Sequence, residues 1–286
     1  MANTIGYGQG AVNNTISWGQ GAKEGAAESL LLDSYSGASV AYSLRKISST
    51  YSGSAIRVRR SNDNTEQDIG FASNALDTAA LLSFVGSNDA YVTTWYDQSG
   101  NSANATMSTA INQPRIVSSG SVDVVNGKSA ILGDGTNDSL RYDGLSFTNP
   151  LTNFMVIDKV GTTGYFGLFT SSHGFGGGYD LESTGIRAYQ NGAAFSPTYA
   201  NNDQSLISFK SATSGTNWDL YGNGSQVTNG GENIGTTTGT IVSLFDRTNN
   251  TNRTNMYMQE YIVYDADKFS DRADIESNIN TYYSIY

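Results

Sequence analysis

Short runs of β-branched and aromatic residues, each closed within a few positions by Gly, Asn or Asp, recur from Ala55 to Tyr264 and point to an all-β fold. Ala55-Ile56-Arg57-Val58-Arg59 alternates apolar and polar side chains, as a strand with one buried face should. The series continues through residues 90–96, 115–117, 129–132, 154–157, 165–170, 206–209, 218–221, 241–245 and 256–264. Asn223-Gly224 supplies the residues that a two-residue hairpin needs. About a dozen strands at this spacing predict two packed sheets, a jelly-roll sandwich.

Three helices are predicted around that body. Val40, Ala41, Leu44 and Ile47 recur at steps of three or four, which predicts a short helix before Ile47. A second is expected over residues 76–85, with Asp77 near its start. The third follows Ser270 as N-cap, has Asp271 and Asp274 in its first turn, and places Ile275 and Ile279 on one face to lie against the sandwich.

The first 28 residues are of another kind. Ile5-Gly6-Tyr7-Gly8-Gln9-Gly10-Ala11 returns eleven residues later as Ile16-Ser17-Trp18-Gly19-Gln20-Gly21-Ala22. Glycine at every second or third position denies this segment a helix or a core of its own. The chain therefore divides into an extended segment, 1–28, and a sandwich domain, 29–286. Ile5, Tyr7, Ile16 and Trp18 are the expected anchors by which the segment docks into a partner.

Composition excludes several functions. A net charge of −10 and a pI near 4.4 oppose nucleic-acid binding. Arg57, Arg59 and Arg60 form the one basic knot, and Asp63, Glu66 and Asp68 are placed to pair with it. Without cysteine there are no disulfides, thiolate metal sites or thiol nucleophiles. No export signal is expected in the first ten residues, and no apolar run is long enough for a membrane helix.

The chemistry-bearing residues are few. Glycoside hydrolysis needs two carboxylates facing across a sugar, and the candidates are Asp180 with Glu182, then Glu232, Glu260, Asp134 and Asp138; spacing singles out no pair. His173 is the sole histidine, so a multi-histidine metal site is excluded. With Tyr179 and Asp180 it makes a candidate glycan contact. Asp134-Gly135-Thr136-Asn137-Asp138 offers oxygen ligands to Ca²⁺ but lacks the EF-hand's later Glu; a hydrogen-bonded turn is the better reading of it. No other cofactor is expected. Trp95 and Trp218 lie in strand patterns and are expected in the core.

Residues 33–140 resemble the N-terminal part of the catalytic domain of fungal α-L-arabinofuranosidase B. Ala41-Tyr42-Ser43-Leu44-Arg45, Ile56-Arg57-Val58-Arg59-Arg60-Ser61-Asn62-Asp63 and Tyr96-Asp97-Gln98-Ser99-Gly100 carry the likeness. Leu220-Tyr221-Gly222-Asn223-Gly224 and Gln259-Glu260-Tyr261-Ile262-Val263-Tyr264 resemble the end of laminin G or concanavalin A-like modules. Both likenesses imply a concanavalin A-like jelly roll; the cysteines of the arabinofuranosidase family are absent. The repeat ahead of such a sandwich also resembles bacteriophage structural proteins. From it follows the expectation of a non-enzymatic virion protein: a capsid decoration, head fibre or tail component, homo-oligomeric and trimeric if a fibre, docked to particle proteins and displaying a face to host-surface glycans. The alternatives are an arabinofuranosidase-type glycoside hydrolase and a secreted carbohydrate-binding lectin module.

Overall fold

The computed structural model describes residues 29–148, 150–169, 175–183, 185–190, 193–194, 199–200, 203–211, 219–229, 238–246 and 253–286. Two antiparallel sheets face each other. The first runs Ser225–Asn229, Asp219–Gly222, Ser205–Ser211, Leu151–Lys159, Asn255–Tyr264, and its last strand pairs on the far side with both Val40–Ser43 and Ile131–Asp134. The second runs Glu66–Ile69, Ile56–Arg60, Ala90–Trp95, Ala105–Thr106, Leu140–Thr148, Thr238–Leu244, Gly164–Phe169, Phe175–Glu182, Gly185–Gln190. Arg115–Ser118 pairs with Ala90–Trp95 and with Ile131–Asp134, joining the sheets along one side. The expected all-β sandwich with short helices and a C-terminal helix is the fold observed.

Between the sheets lies a core that includes Tyr42, Trp95, Met155, Phe166, Tyr179, Ile207, Val242 and Tyr261. A second core covers the outer face of the first sheet. There Ala41, Phe154, Val156, Leu206, Ile262 and Tyr264 meet Leu31, Ile275, Ile279 and Tyr283. Leu151–Lys159 is thus buried at nearly every position, which explains its unbroken apolar run where a half-exposed strand would alternate. Removing Ile275, Ile279 and Tyr283 from water stabilises the docked terminal helix by roughly 1.5–3 kcal/mol for each side chain.

Within Asn255–Tyr264 the register against Leu151–Lys159 slips, Val156 facing Glu260 while Ile157 faces Met258. Gln259 is the additional residue. One inserted residue reverses the side-chain parity, so Met256 and Met258 enter the inter-sheet core while Glu260 emerges under the helices with Ile262 and Tyr264. There Arg45 grips it with a fork, Nε to Oε2 at 2.8 Å and an Nη to Oε1 at 3.1 Å, and Ser43 donates to it at 2.7 Å.

The helix predicted through Val40 and Leu44 is a strand, Val40–Ser43, preceded by one helical turn at Leu31–Ser34. The spacing misleads because this strand is buried on both faces, Val40 and Tyr42 inward and Ala41 outward. Pairing with the strand ending at Tyr264 then outweighs any local helical preference. The second helix is Thr78–Val85, capped by the Asp77 carboxylate on the Ala80 amide at 2.9 Å. The third is Arg272–Tyr283, starting one residue later than expected, with Asp271 rather than Ser270 at the N-cap.

Tyr96-Asp97-Gln98-Ser99-Gly100 is a scaffold. Asp97, 3% exposed, accepts from the amides of Ala41, Ser99 and Ala103 at 2.8, 2.9 and 3.1 Å and from the Ser99 hydroxyl at 2.6 Å. Gln98 accepts from the Ile47 amide and donates to the carbonyls of Ser43 and Arg45. Together they fix the irregular chain leaving Val40–Ser43, whose polar backbone would otherwise be buried without partners.

Candidate active site

At the end of Ile131–Asp134 the chain turns through Gly135, φ +74°. Asp134 Oδ1 accepts from the amides of Thr136 and Asn137 at 2.7 and 3.2 Å, and Asp138 Oδ2 accepts from the amide of Asp134 at 2.9 Å. Two interlocked carboxylate turns therefore hold Asp134 and Asp138 together on one wall of a pocket of about 470 Å³. The same pocket is lined by Arg59, whose guanidinium lies 5.0 Å from the Tyr91 ring centre, and by Ile111, an apolar side chain left 71% exposed. An apolar lip beside directional polar groups suits a sugar, which presents both kinds of surface.

Asp138 is 6% exposed, and its carboxyl is pushed up to about 7, first by burial and then by the negative charge of Asp134; the amide of Asp134 and the Arg253 charge oppose the rise. It therefore holds a proton near neutral pH. Behind it sits Asp246, 2% exposed, accepting from the hydroxyls of Ser139, at 2.8 Å, and Ser243, and from Arg253 at 2.5 Å. Burial raises Asp246 above the ordinary carboxylate range despite these donors. The same Arg253 nitrogen donates to the Asp138 carbonyl at 3.2 Å, so one guanidinium links the Asp246 carboxylate to the Asp138 backbone. Phe245, the residue before Asp246, is held at φ +73° with its ring packed on Gly133. A bulky residue in the left-handed region is strained, and such strain gathers where a side chain must be aimed.

The other sequence candidates fall elsewhere. Ile5, Tyr7, Ile16, Trp18, His173, Trp218 and Glu232 lie outside the described residues. Tyr179 is fully buried, its ring stacked on Phe166 at 5.3 Å and its hydroxyl bonded to Asn153, so it presents no surface to a glycan. Asp180 lies in Phe175–Glu182, paired with Tyr165 and Arg187. Glu260 serves the clamp on Arg45. Trp95 is a core residue, 5.9 Å from Tyr42. Of the basic knot, Arg57 pairs with Glu66 and Asp68 and Arg60 with Asp63, whereas Arg59 bonds to Gln113, Asn64 and the Ala110 carbonyl. The oxygens offered to Ca²⁺ at Asp134 and Asp138 accept from their own turn, and among the described residues no group of three acids or histidines is placed for a metal. Asp246, Arg253 and the strain at Phe245 were not legible in sequence; Asp246 ends an apolar strand like many turn residues.

Comparison with known proteins identifies the fold. Residues 34–135 match the family described as the catalytic domain of α-L-arabinofuranosidase B. A GH54 α-L-arabinofuranosidase carrying a Glu-to-Gln mutation and soaked with 4-nitrophenyl α-L-arabinofuranoside is similar with a TM-score of 0.69 at 17% identity. An arabinofuranosidase complexed with arabinofuranosyl-α-1,2-xylobiose gives 0.66 at 17%, and a GH54 enzyme soaked with a cyclic sulfate inhibitor gives 0.66 at 16%. Each covers 87% of this chain, while this chain spans 64% of theirs. No curated protein sequence matches. The fold is thus a concanavalin A-like sandwich of the arabinofuranosidase B kind. These findings overturn the expectation of a non-enzymatic bacteriophage structural protein, since the likeness runs to a catalytic domain. The short Gly-Gln-Gly repeat behind that expectation is too unspecific to set against it.

Proposed function

We propose that the chain is a glycoside hydrolase of the α-L-arabinofuranosidase type, acting at the Asp134–Asp138 pocket. The observation that carries the reading is a buried carboxyl, Asp138, its proton affinity raised by burial, beside a second carboxylate in a sugar-sized pocket on a fold shared with arabinofuranosidases. Asp138 donates its proton to the glycosidic oxygen as that bond breaks, and water then adds to the anomeric carbon, giving its proton back to the Asp138 carboxylate. Asp134 faces the positive charge that develops on the sugar. Asp246 and Arg253 are positioning residues, holding the Asp138 segment through its carbonyl.

The test is release of 4-nitrophenol from 4-nitrophenyl α-L-arabinofuranoside. Asp138→Asn is expected to lower kcat by about 10²–10⁴ fold, the usual contribution of a general acid. Wild-type activity should decline as pH rises through about 7, where Asp138 loses its proton. Asp246→Asn should lower kcat less and leave that pH midpoint displaced. A folded wild-type chain without hydrolysis, or an Asp138→Asn variant as active as wild type, overturns the assignment.

A further inference from the structure

A pocket beside the terminal helix has a charge that the rest of the molecule does not lead one to expect. The chain carries 26 acidic against 16 basic side chains, and Arg57, Arg60, Arg115, Arg141, Lys210, Arg253, Lys268 and Arg272 each pair with a carboxylate. Yet Arg45, Lys46 and Lys128 line one pocket of about 440 Å³ with Asn74, Asn278 and Tyr282, and no carboxylate among the described residues is in its wall. Arg45 is neutralised from beneath by Glu260 and donates to Asn278 at 2.9 Å. Among the described residues, neither Lys46 nor Lys128 has a carboxylate partner.

Lys128 Nζ lies 4.3 Å from the Tyr282 ring centre and the Arg45 guanidinium 5.2 Å from it, so the ring holds both cations toward the pocket. Lys46 is half-buried, and its ammonium makes no ion pair or hydrogen bond. Asn74, turned out by a left-handed backbone at φ +63°, adds an exposed amide at the rim. An anion with several oxygens would satisfy both lysines and the amide together.

We infer that this pocket binds an oxyanion, either the carboxylate of an acidic saccharide or free phosphate, between Lys46 and Lys128. It stands apart from the hydrolase reading, sharing no residue with the Asp134–Asp138 pocket. Isothermal titration of the full chain with trigalacturonate, with inorganic phosphate and with neutral maltotriose tests it. Binding of trigalacturonate but not maltotriose, weakened about tenfold by Lys46→Gln and by Lys128→Gln, is expected; tenfold corresponds to one charge-assisted hydrogen bond. Binding of phosphate alone, with the same dependence on both lysines, assigns the site to the free ion. No binding of either anion, or affinities within about twofold of wild type in both variants, overturns the inference. Hydrolysis of the aryl arabinofuranoside should be unchanged in both lysine variants, which keeps this result separate from the fate of the proposed activity.

Discussion

Asp97 and Asp246 are both almost wholly buried carboxylates, 3% and 2% exposed, but they are built into the sandwich in different ways. Three of the four donors to Asp97 are backbone amides, from Ala41, Ser99 and Ala103. The donors to Asp246 are the side chains of Ser139, Ser243 and Arg253. Backbone donors hold a strand in place whatever residues surround it, so Asp97 serves the fold. Side-chain donors give Asp246 an environment that other side chains can tune, and one of them, Arg253, also reaches the carbonyl of Asp138, the acid held at about 7. The contrast also explains where family likeness resides. The match over residues 34–135 contains the scaffold motif around Asp97 and stops before Asp138.

The contrast breaks most sharply at Asp97. Replacing it with Ala leaves buried amides without acceptors and should destabilise the chain by about 4 kcal/mol, read from urea unfolding. A loss under about 1 kcal/mol would mean that the motif does not hold the Val40–Ser43 segment.

At Asp138 the expected effect is a dependence on pH. Its folded value, about 7, lies above its ordinary 3.8. Between these values the native chain keeps a proton that the unfolded chain releases, so stability should fall as pH rises from about 4 to 7 and level off above. Unfolding midpoints of Asp138→Asn should lack that component of the decline. If the variant follows wild type across the range, the carboxyl is not held protonated.

The smallest effect sharpens the role of the strained corner. A Cβ at Gly133 would lie 2.4 Å from the Phe245 ring and 2.9 Å from the Thr254 carbonyl oxygen. Gly133→Ala should therefore cost about 1–3 kcal/mol by overpacking. Because Phe245 precedes Asp246, the same variant should also lower arabinofuranoside hydrolysis beyond what its stability explains. Unaltered hydrolysis in the folded variant would detach the corner from the site.

Much of the framework follows from local chemistry that the sequence displays. Asn223 and Gly224, at φ +49° and +74°, turn the hairpin that their identities require, and Asp77 caps the helix before which it stands. Ile275 and Ile279, four apart, share the buried face of the terminal helix. These features depend on neighbours within a few residues, so a linear reading captures them. What only the tertiary structure decided are the places where distant segments compete. Val40–Ser43 became a strand because Asn255–Tyr264 offered it a ladder and both its faces a core. The bulge at Gln259 delivered Glu260 to Arg45, more than two hundred residues away in sequence. Asp138, Asp246 and Arg253 acquired their shared chemistry when Leu140–Thr148 paired with Thr238–Leu244 and brought those residues to one end of the sandwich. Burial and charge, which set a proton's affinity, exist only once such pairings have closed.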